Sequence, residues 1–458
     1  MQARDQLAAL SPIARLEGVE VAAAAAVGAA ILVAAAAATE RPASTLLVFL
    51  VLLFVGVCLL RTDVAVLLVV ATGPLEGEWK NGPAGISLTK IAGALVFASF
   101  LFHVIRRRRP LLVEPMQAVV LGILGLALLS ATQARELPIA LTTASRYASF
   151  VALYLVVSQL EPTPRLQRRV AWVLALSATA SSALALENYF SGKQEIATLP
   201  WANANDFAYM LGTALPLMFW LLGSRRWLVP LVAAMIGTVF SGILLSLSRG
   251  TIVGLAAGLF FFLLTDRRRL QLALVGGTIA AVAAVLVIHS NPARFHNALF
   301  LKQKVASYNV TTRFEAWSIA ARLATDHPLL GVGPGNFRYR YDALAGQPPG
   351  TFGLTVAHDA YLDVSAEVGI VAGILFLVFL GTSFRRLTIS NARGDGLPGF
   401  AQALRVSLVI ALVGAIFLSE QYFLPFWLIG ALAASLWGDG RRRAERRDYG
   451  RPDTAPAA

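Results

Sequence analysis

Apolar stretches about as long as a bilayer is thick recur along this chain, and short arginine clusters separate them. In hydrocarbon a backbone N–H or C=O finds no water, so a spanning segment must satisfy its own hydrogen bonds, as an α-helix does. A span needs about 20 apolar residues. Candidate runs lie near 20–39, 44–60, 63–75, 88–105, 115–132, 144–159, 168–186, 205–222, 226–247, 250–265, 270–289, 358–384, 402–419 and 422–438. The expected fold is all-α: a polytopic integral membrane protein with about 12–14 transmembrane helices. Of 458 residues, 57% are hydrophobic and 14% charged. Soluble domains carry about 25% charged residues, so water is the wrong solvent for this chain.

The net charge of +13 would suggest nucleic acid in a soluble protein. Here the charges sit between apolar runs and read as cytoplasmic anchors, with no nucleic-acid partner. Arg106 to Arg109, Arg165 with Arg168 and Arg169, Arg225-Arg226, Arg267 to Arg269, Arg385-Arg386, and Arg441 to Arg443 with Arg446 and Arg447 fall on one side if fourteen spans alternate. The implied layout is a cytoplasmic N-terminus at 1–19, transmembrane helices over 20–289, and a long outer loop at 290–357. Transmembrane helices over 358–440 and a basic cytoplasmic tail at 441–458 follow. The run 20–39 reads as a retained helix, because Glu17 and Glu20 flank it where a signal peptide carries basic residues; its Ala-x-Ala triplets leave cleavage open. The outer side also holds the loop with Trp79 and Lys80, the loop 187–205 and the turn at Arg249. The single cysteine, Cys58, excludes an intrachain disulfide and a multi-cysteine metal site.

Several outer residues have the chemistry of a site. Arg249 lies between two apolar runs, where a charge either faces a cavity or partner or snorkels to headgroups. Thr312 and Glu315 form a capping-box pattern, which predicts a helix start with Arg313 in its first turn. Free N–H groups beside a guanidinium suit a phosphate or diphosphate; a surface arginine beside a cap is the plainer alternative. Trp317 and Phe314 share a face and suit packing or sugar stacking. The segment LLGVGPGNF, with Gly331, Gly333 and Gly335, lacks a preceding strand and the G-x-G-x-x-G spacing, and so reads as a tight turn. His358 is expected in the first turn of the next span, where the helix dipole favours a neutral imidazole. A neutral imidazole serves as a general base or is simply hydrogen-bonded at the interface. Glu367 lies about 180° around that helix and about 13 Å deeper, and suits pairing with another helix. Asp359 and Asp363 share a face that points to the outer aqueous side. His289, His296, His327 and His358 have no ligand spacing, and no metal site is indicated.

Taken together, SRG at 248–250, R-x-x-x-W at 313–317, HPLLGVGPGNF at 327–337, H-D-x-Y-L with E-x-G at 358–369, and WANAND at 201–206 resemble the O-antigen ligase and polymerase superfamily of bacterial membrane glycosyltransferases. Asp359 departs from the pattern, since members usually carry asparagine after the histidine. The resemblance implies transfer of a glycan from undecaprenyl diphosphate to an acceptor hydroxyl at the periplasmic face of the inner membrane, without a cofactor. The acceptor would be a lipid A-core sugar or another lipid-linked glycan. Arg249 and Arg313 are implied as diphosphate binders and His358 as the base. Asn205, Asn203, Trp317, Asp359 and Glu367 are expected to bind substrate. Rival readings are a flippase or transporter, a protein O-oligosaccharyltransferase and a non-catalytic assembly subunit. A transporter commonly carries inverted repeats; no internal repeat is apparent here, and the polar residues gather at one membrane face.

Overall fold

The computed structural model describes residues 42–76, 88–107, 113–223, 225–266, 269–346 and 356–449. The expected span 20–39, the loop with Trp79 and Lys80, and the tail beyond residue 449 lie outside the described residues. Among these residues there is no strand: the protein is an all-α polytopic membrane protein.

Contacts divide the chain at Arg61. The first unit contributes one described helix, α1 (Pro42–Leu60), whose apolar residues bear no basic or acidic side chain in its end turns.

The second unit begins with α2 (Thr62–Thr72) and continues through α3 (Leu88–Arg107), α4 (Pro115–Ala131), α5 (Leu137–Gln159) and α6 (Pro164–Phe190). Next come α7 (Ala204–Leu222), α8 (Val229–Ser246), α9 (Arg249–Thr265) and α10 (Arg269–Ser290). The last group is α11 (Pro292–Asp326), α12 (Phe337–Leu344), α13 (Ala360–Glu367), α14 (Ile370–Arg393), α15 (Phe400–Gly414) and α16 (Leu424–Tyr449). Prolines open α4, α5, α6 and α11 at their first or second positions, where a missing N–H costs nothing.

Among the described residues, five helices are long and apolar enough to cross a membrane by length and composition: Leu88–Ile105, Leu137–Gln159, Pro164–Phe190, Arg226–Ser246 and Ile370–Arg393. A sixth results if Leu274–Ser290 and Pro292–Phe300, bent by 97°, count as one span. This is fewer than the expected 12–14. Several expected spans form shorter apolar helices of 10–17 residues, among them Thr62–Leu75, Pro115–Ala131, Arg249–Thr265 and Phe400–Gly414.

One helix contact places the site. Gly250, Gly254 and Gly258 recur every four residues along α9 and so line one face. A Cβ on Gly254 would lie 2.8 Å from the carbonyl oxygen of Ile410 in α15. The bare backbone therefore lets α9 and α15 pack closely, and this brings the segment after α15, residues 415–423, beside the start of α9.

The loop 290–357 is mostly helical where it is described. The chain turns sharply at Ser290 and runs as one 35-residue helix, α11. Asn291 caps it by accepting from the Arg294 N–H at 3.1 Å, with Pro292 at its first position. The expected helix start at Thr312 is thus corrected: Thr312 is interior, since no glycine or proline interrupts 293–326. Ala316, Ile319, Ala320 and Leu323 of α11 pack on Val332, Phe337, Tyr341, Ala357 and Ala366, which fixes this helix against the segments that carry His358.

The glycine segment is a turn, as its sequence predicts. Gly331 and Gly333 have φ of 62° and 101°, the left-handed region that glycine enters without a Cβ clash. A Cβ on Gly331 would also lie 2.4 Å from the backbone of Glu367. The turn docks by the Val332 N–H donating to the Ala366 carbonyl at 3.0 Å and the Gly333 N–H to the Glu367 carbonyl at 2.9 Å.

Candidate functional site

An open pocket of about 240 Å³ lies where α7, α9, α11 and the 415–423 segment meet. Asn205, Arg249, Lys302, Arg313 and Trp317 line it, with Phe314, Phe417 and Leu418 among its apolar walls. Among the described residues, three cations and no carboxylate line this pocket.

Each polar residue has a local reason for its position. Leu247 takes a left-handed φ of 54°, ending α8 and letting Ser248 start α9 at once. Arg249 is therefore the first residue of α9, exposed at the pocket. Free N–H groups and the positive end of a helix do face this site, but they belong to α9 and not to a helix starting at Arg313. Asn203 caps α7 by accepting from the Asn205 N–H at 2.8 Å; it is exposed and outside the pocket lining, while Asn205 faces the pocket. Arg313 is half-buried in mid-α11. Burial and the neighbouring Arg249 lower its pKa, but a guanidinium remains charged in any accessible range. Phe314 and Trp317 meet edge to face with ring centroids 5.4 Å apart.

Lys302 has no counterpart among the expected residues. In a continuous α11 it falls about 20° around the helix from Arg313 and about 60° from Trp317. Reading a helix start at Thr312 separated Lys302 from this face; the signal that recovers it is the unbroken helix-compatible run after Asn291-Pro292.

His358 adjoins the pocket without lining it. It was expected in the first turn of a span, and the structure corrects this. His358 precedes the cap of the short helix α13 and has φ of 58°. A separate span, α14, begins at Ile370 beyond Gly369. The His358 N–H donates to Ser419 Oγ at 3.1 Å, one residue beyond the pocket wall at Leu418. Ser419 in turn donates to Asp363 Oδ2, and Asp363 Oδ1 accepts the Ala357 N–H at 2.9 Å. The Ala360 N–H donates to the Ala415 carbonyl at 2.9 Å. These bonds clamp 357–360 to 415–419 and hold the strained His358 backbone. Burial, and then the charge of Arg313, push the imidazole pKa down to about 4. His358 is thus neutral near pH 7, as expected, with burial and Arg313 as the causes.

The remaining expected residues are not gathered at the pocket. Asp359 is the cap of α13, accepting from the Tyr361 and Leu362 N–H groups at 2.9 Å each. Asp363 is fully buried, so the expected outward face of Asp359 and Asp363 is corrected: both serve the backbone. Glu367 is 1% exposed and accepts from the Gly335 N–H at 2.8 Å and the Phe337 N–H at 3.3 Å. It was expected to bind substrate or pair with another helix; its carboxyl group instead pins the glycine turn. Burial raises the pKa of both Asp363 and Glu367. Among the described residues no group of three or more His, Cys, Asp or Glu is placed to hold a metal ion.

A model of the O-antigen ligase family matches residues 234–377. The matched stretch contains Arg249, Lys302, Arg313 and His358 and stops short of Asn205. It supports the O-antigen ligase and polymerase superfamily on the same segment whose motifs carry the resemblance. No curated protein matches the chain.

Proposed function

We propose that this chain is a lipid-linked-glycan transferase of the O-antigen ligase and polymerase type, acting at the periplasmic face of a bacterial inner membrane. The observation that carries the reading is the pocket: Arg249, Lys302 and Arg313 line it with no carboxylate, beside a histidine kept neutral. The donor is an undecaprenyl-diphosphate-linked glycan. Its diphosphate sits among the cations and the N-terminus of α9, where charge-assisted hydrogen bonds are strongest. Phe314, Trp317, Phe417 and Leu418 offer apolar surface to the polyprenyl chain or the first sugar. The arginine clusters at the opposite helix ends support the sidedness.

In the reaction the acceptor hydroxyl oxygen attacks the anomeric carbon while His358 removes its proton. The bond from that carbon to the phosphate oxygen breaks, and its electron pair stays on the diphosphate. Cations fixed before the reaction stabilise this charge without reorganising, which is the role a metal plays in other phosphate sites. The acceptor is a lipid A-core sugar or a second lipid-linked glycan.

The test supplies the purified full-length protein with undecaprenyl-diphosphate glycan and candidate acceptors, with and without chelator. A new glycosidic bond formed equally in both conditions is the expected result. Donor crossing reconstituted vesicles with no bond formed would instead establish a transporter.

A further inference from the structure

We propose that Lys302 is the cation that answers the charge created by the reaction, binding the outer phosphate of the leaving polyprenyl diphosphate more strongly than that of the donor. This rests on the diphosphate reading of the pocket and adds a division of labour among its cations. Arg249, Lys302 and Arg313 line one pocket, and no carboxylate there offsets them. A lipid-linked glycan is a diester of diphosphate, with one negative charge on each phosphorus. Two guanidiniums match those two charges, and their planar forks suit bidentate contact with phosphate oxygens. When the anomeric C–O bond breaks, the electron pair remains on the outer phosphate, which gains a second charge, the third on the diphosphate. The acceptor proton turns His358 into an imidazolium outside the pocket lining, so within the pocket itself the new charge calls for a cation beyond the two arginines.

Lys302 is placed to do so. It faces the same pocket as Arg313 from the same side of α11, and its ammonium is a compact point charge needing no planar partner. In the empty pocket its charged form is disfavoured, by burial first and then by Arg249 and Arg313. An added negative charge relieves that cost, so the interaction grows as the leaving group forms. A contact that is stronger in the transition state than with the donor raises turnover rather than affinity.

The experiment uses the full-length protein in lipid nanodiscs at pH 8 and measures binding of undecaprenyl diphosphate and of undecaprenyl-diphosphate-linked sugar. The wild type is expected to prefer the free diphosphate by about tenfold, the scale of one added hydrogen bond to a charged group. Lys302→Met should remove that preference, weakening the free diphosphate about tenfold more than the donor, and Lys302→Arg should keep it. With an acceptor, Lys302→Met should lower kcat by up to about tenfold, with a smaller change in donor KM. An unchanged preference in Lys302→Met, or equal weakening for both lipids, would overturn the proposal. A wild type that binds both lipids but transfers to no acceptor would count against the transferase reading alone, with the preference still testing Lys302. A wild type that binds neither lipid would overturn both.

Discussion

Two groups of charged residues, the pocket cations and the buried carboxylates of 359–367, use charge in opposite ways. On one side, Arg249, Lys302 and Arg313 line an open pocket with no carboxylate. On the other, Asp359, Asp363 and Glu367 are buried, and their oxygens accept backbone N–H groups or the Ser419 hydroxyl. The cations are arranged for a ligand that brings its own negative charge; the carboxyl groups are used up in holding chain turns. Burial alone does not mark a functional group here. The more exposed charges suit the chemistry, and the fully buried ones set the geometry of His358 and the glycine turn.

That contrast fixes the order of expected effects. Arg313→Ala should reduce transfer by about 10²–10³-fold, the usual loss when one donor to a developing anion is removed. A thermal unfolding curve close to wild type would show that folding is intact. If Arg313→Ala retains full transfer, the open side of the comparison fails.

Glu367→Ala tests the other side. It strands the N–H groups of Gly335 and Phe337 in a buried turn, which costs about 2–5 kcal/mol, and should appear as a lower unfolding temperature in detergent. The donor Kd of the folded fraction should be unchanged. A stable Glu367→Ala protein with weakened donor binding would move Glu367 into the substrate site.

The pH profile sharpens the boundary between the two regions. A general base works in its neutral form, so activity is lost as pH falls through the pKa of His358. With that value near 4, kcat/KM should show no His358 limb between pH 5 and 8, and the acid limb should centre near 4. Because Arg313 depresses the imidazole, the residual activity of Arg313→Ala should have its limb at higher pH. A wild-type limb near 6.5 would mean that His358 is solvated and uncoupled from Arg313.

The smallest effect is expected at the pair Arg322–Asp326, 3.5 Å apart with side chains 65% and 54% exposed. Asp326→Ala should change stability by less than about 1 kcal/mol. A larger loss, measured by thermal unfolding, would show that exposed charge on α11 also serves structure.

The sequence made parts of this arrangement legible and hid others for physical reasons. Apolar runs dictate helices in lipid whatever their packing, so the all-α class was readable. Gly331 and Gly333 announced a turn because the missing strand and spacing left no other role. The start of α11 was misread because Thr312 and Glu315 satisfy a local capping pattern. A pattern of four residues does not show that the helix already runs from Asn291-Pro292, and Lys302 was lost with that error. His358 was placed in a helix because nothing local foretells a left-handed backbone at a histidine; the bonds holding it come from Ser419 and Asp363, the former 61 residues away. Glu367 suits substrate binding or pairing with another helix in the sequence, and only the fold shows two distant N–H groups occupying its carboxyl group.

The central claim is that Arg249, Arg313 and His358 act on one substrate, the arginines as its grip and the histidine as its base. The most direct measurement compares donor binding with turnover in His358→Gln and in Arg249→Ala/Arg313→Ala, using the full-length protein and undecaprenyl-diphosphate glycan. His358→Gln should bind donor like wild type and lose transfer by about 10²–10⁴-fold. The double arginine variant should lose binding and transfer together. Sustained transfer by His358→Gln, or donor binding unaffected by loss of both arginines, would contradict the account.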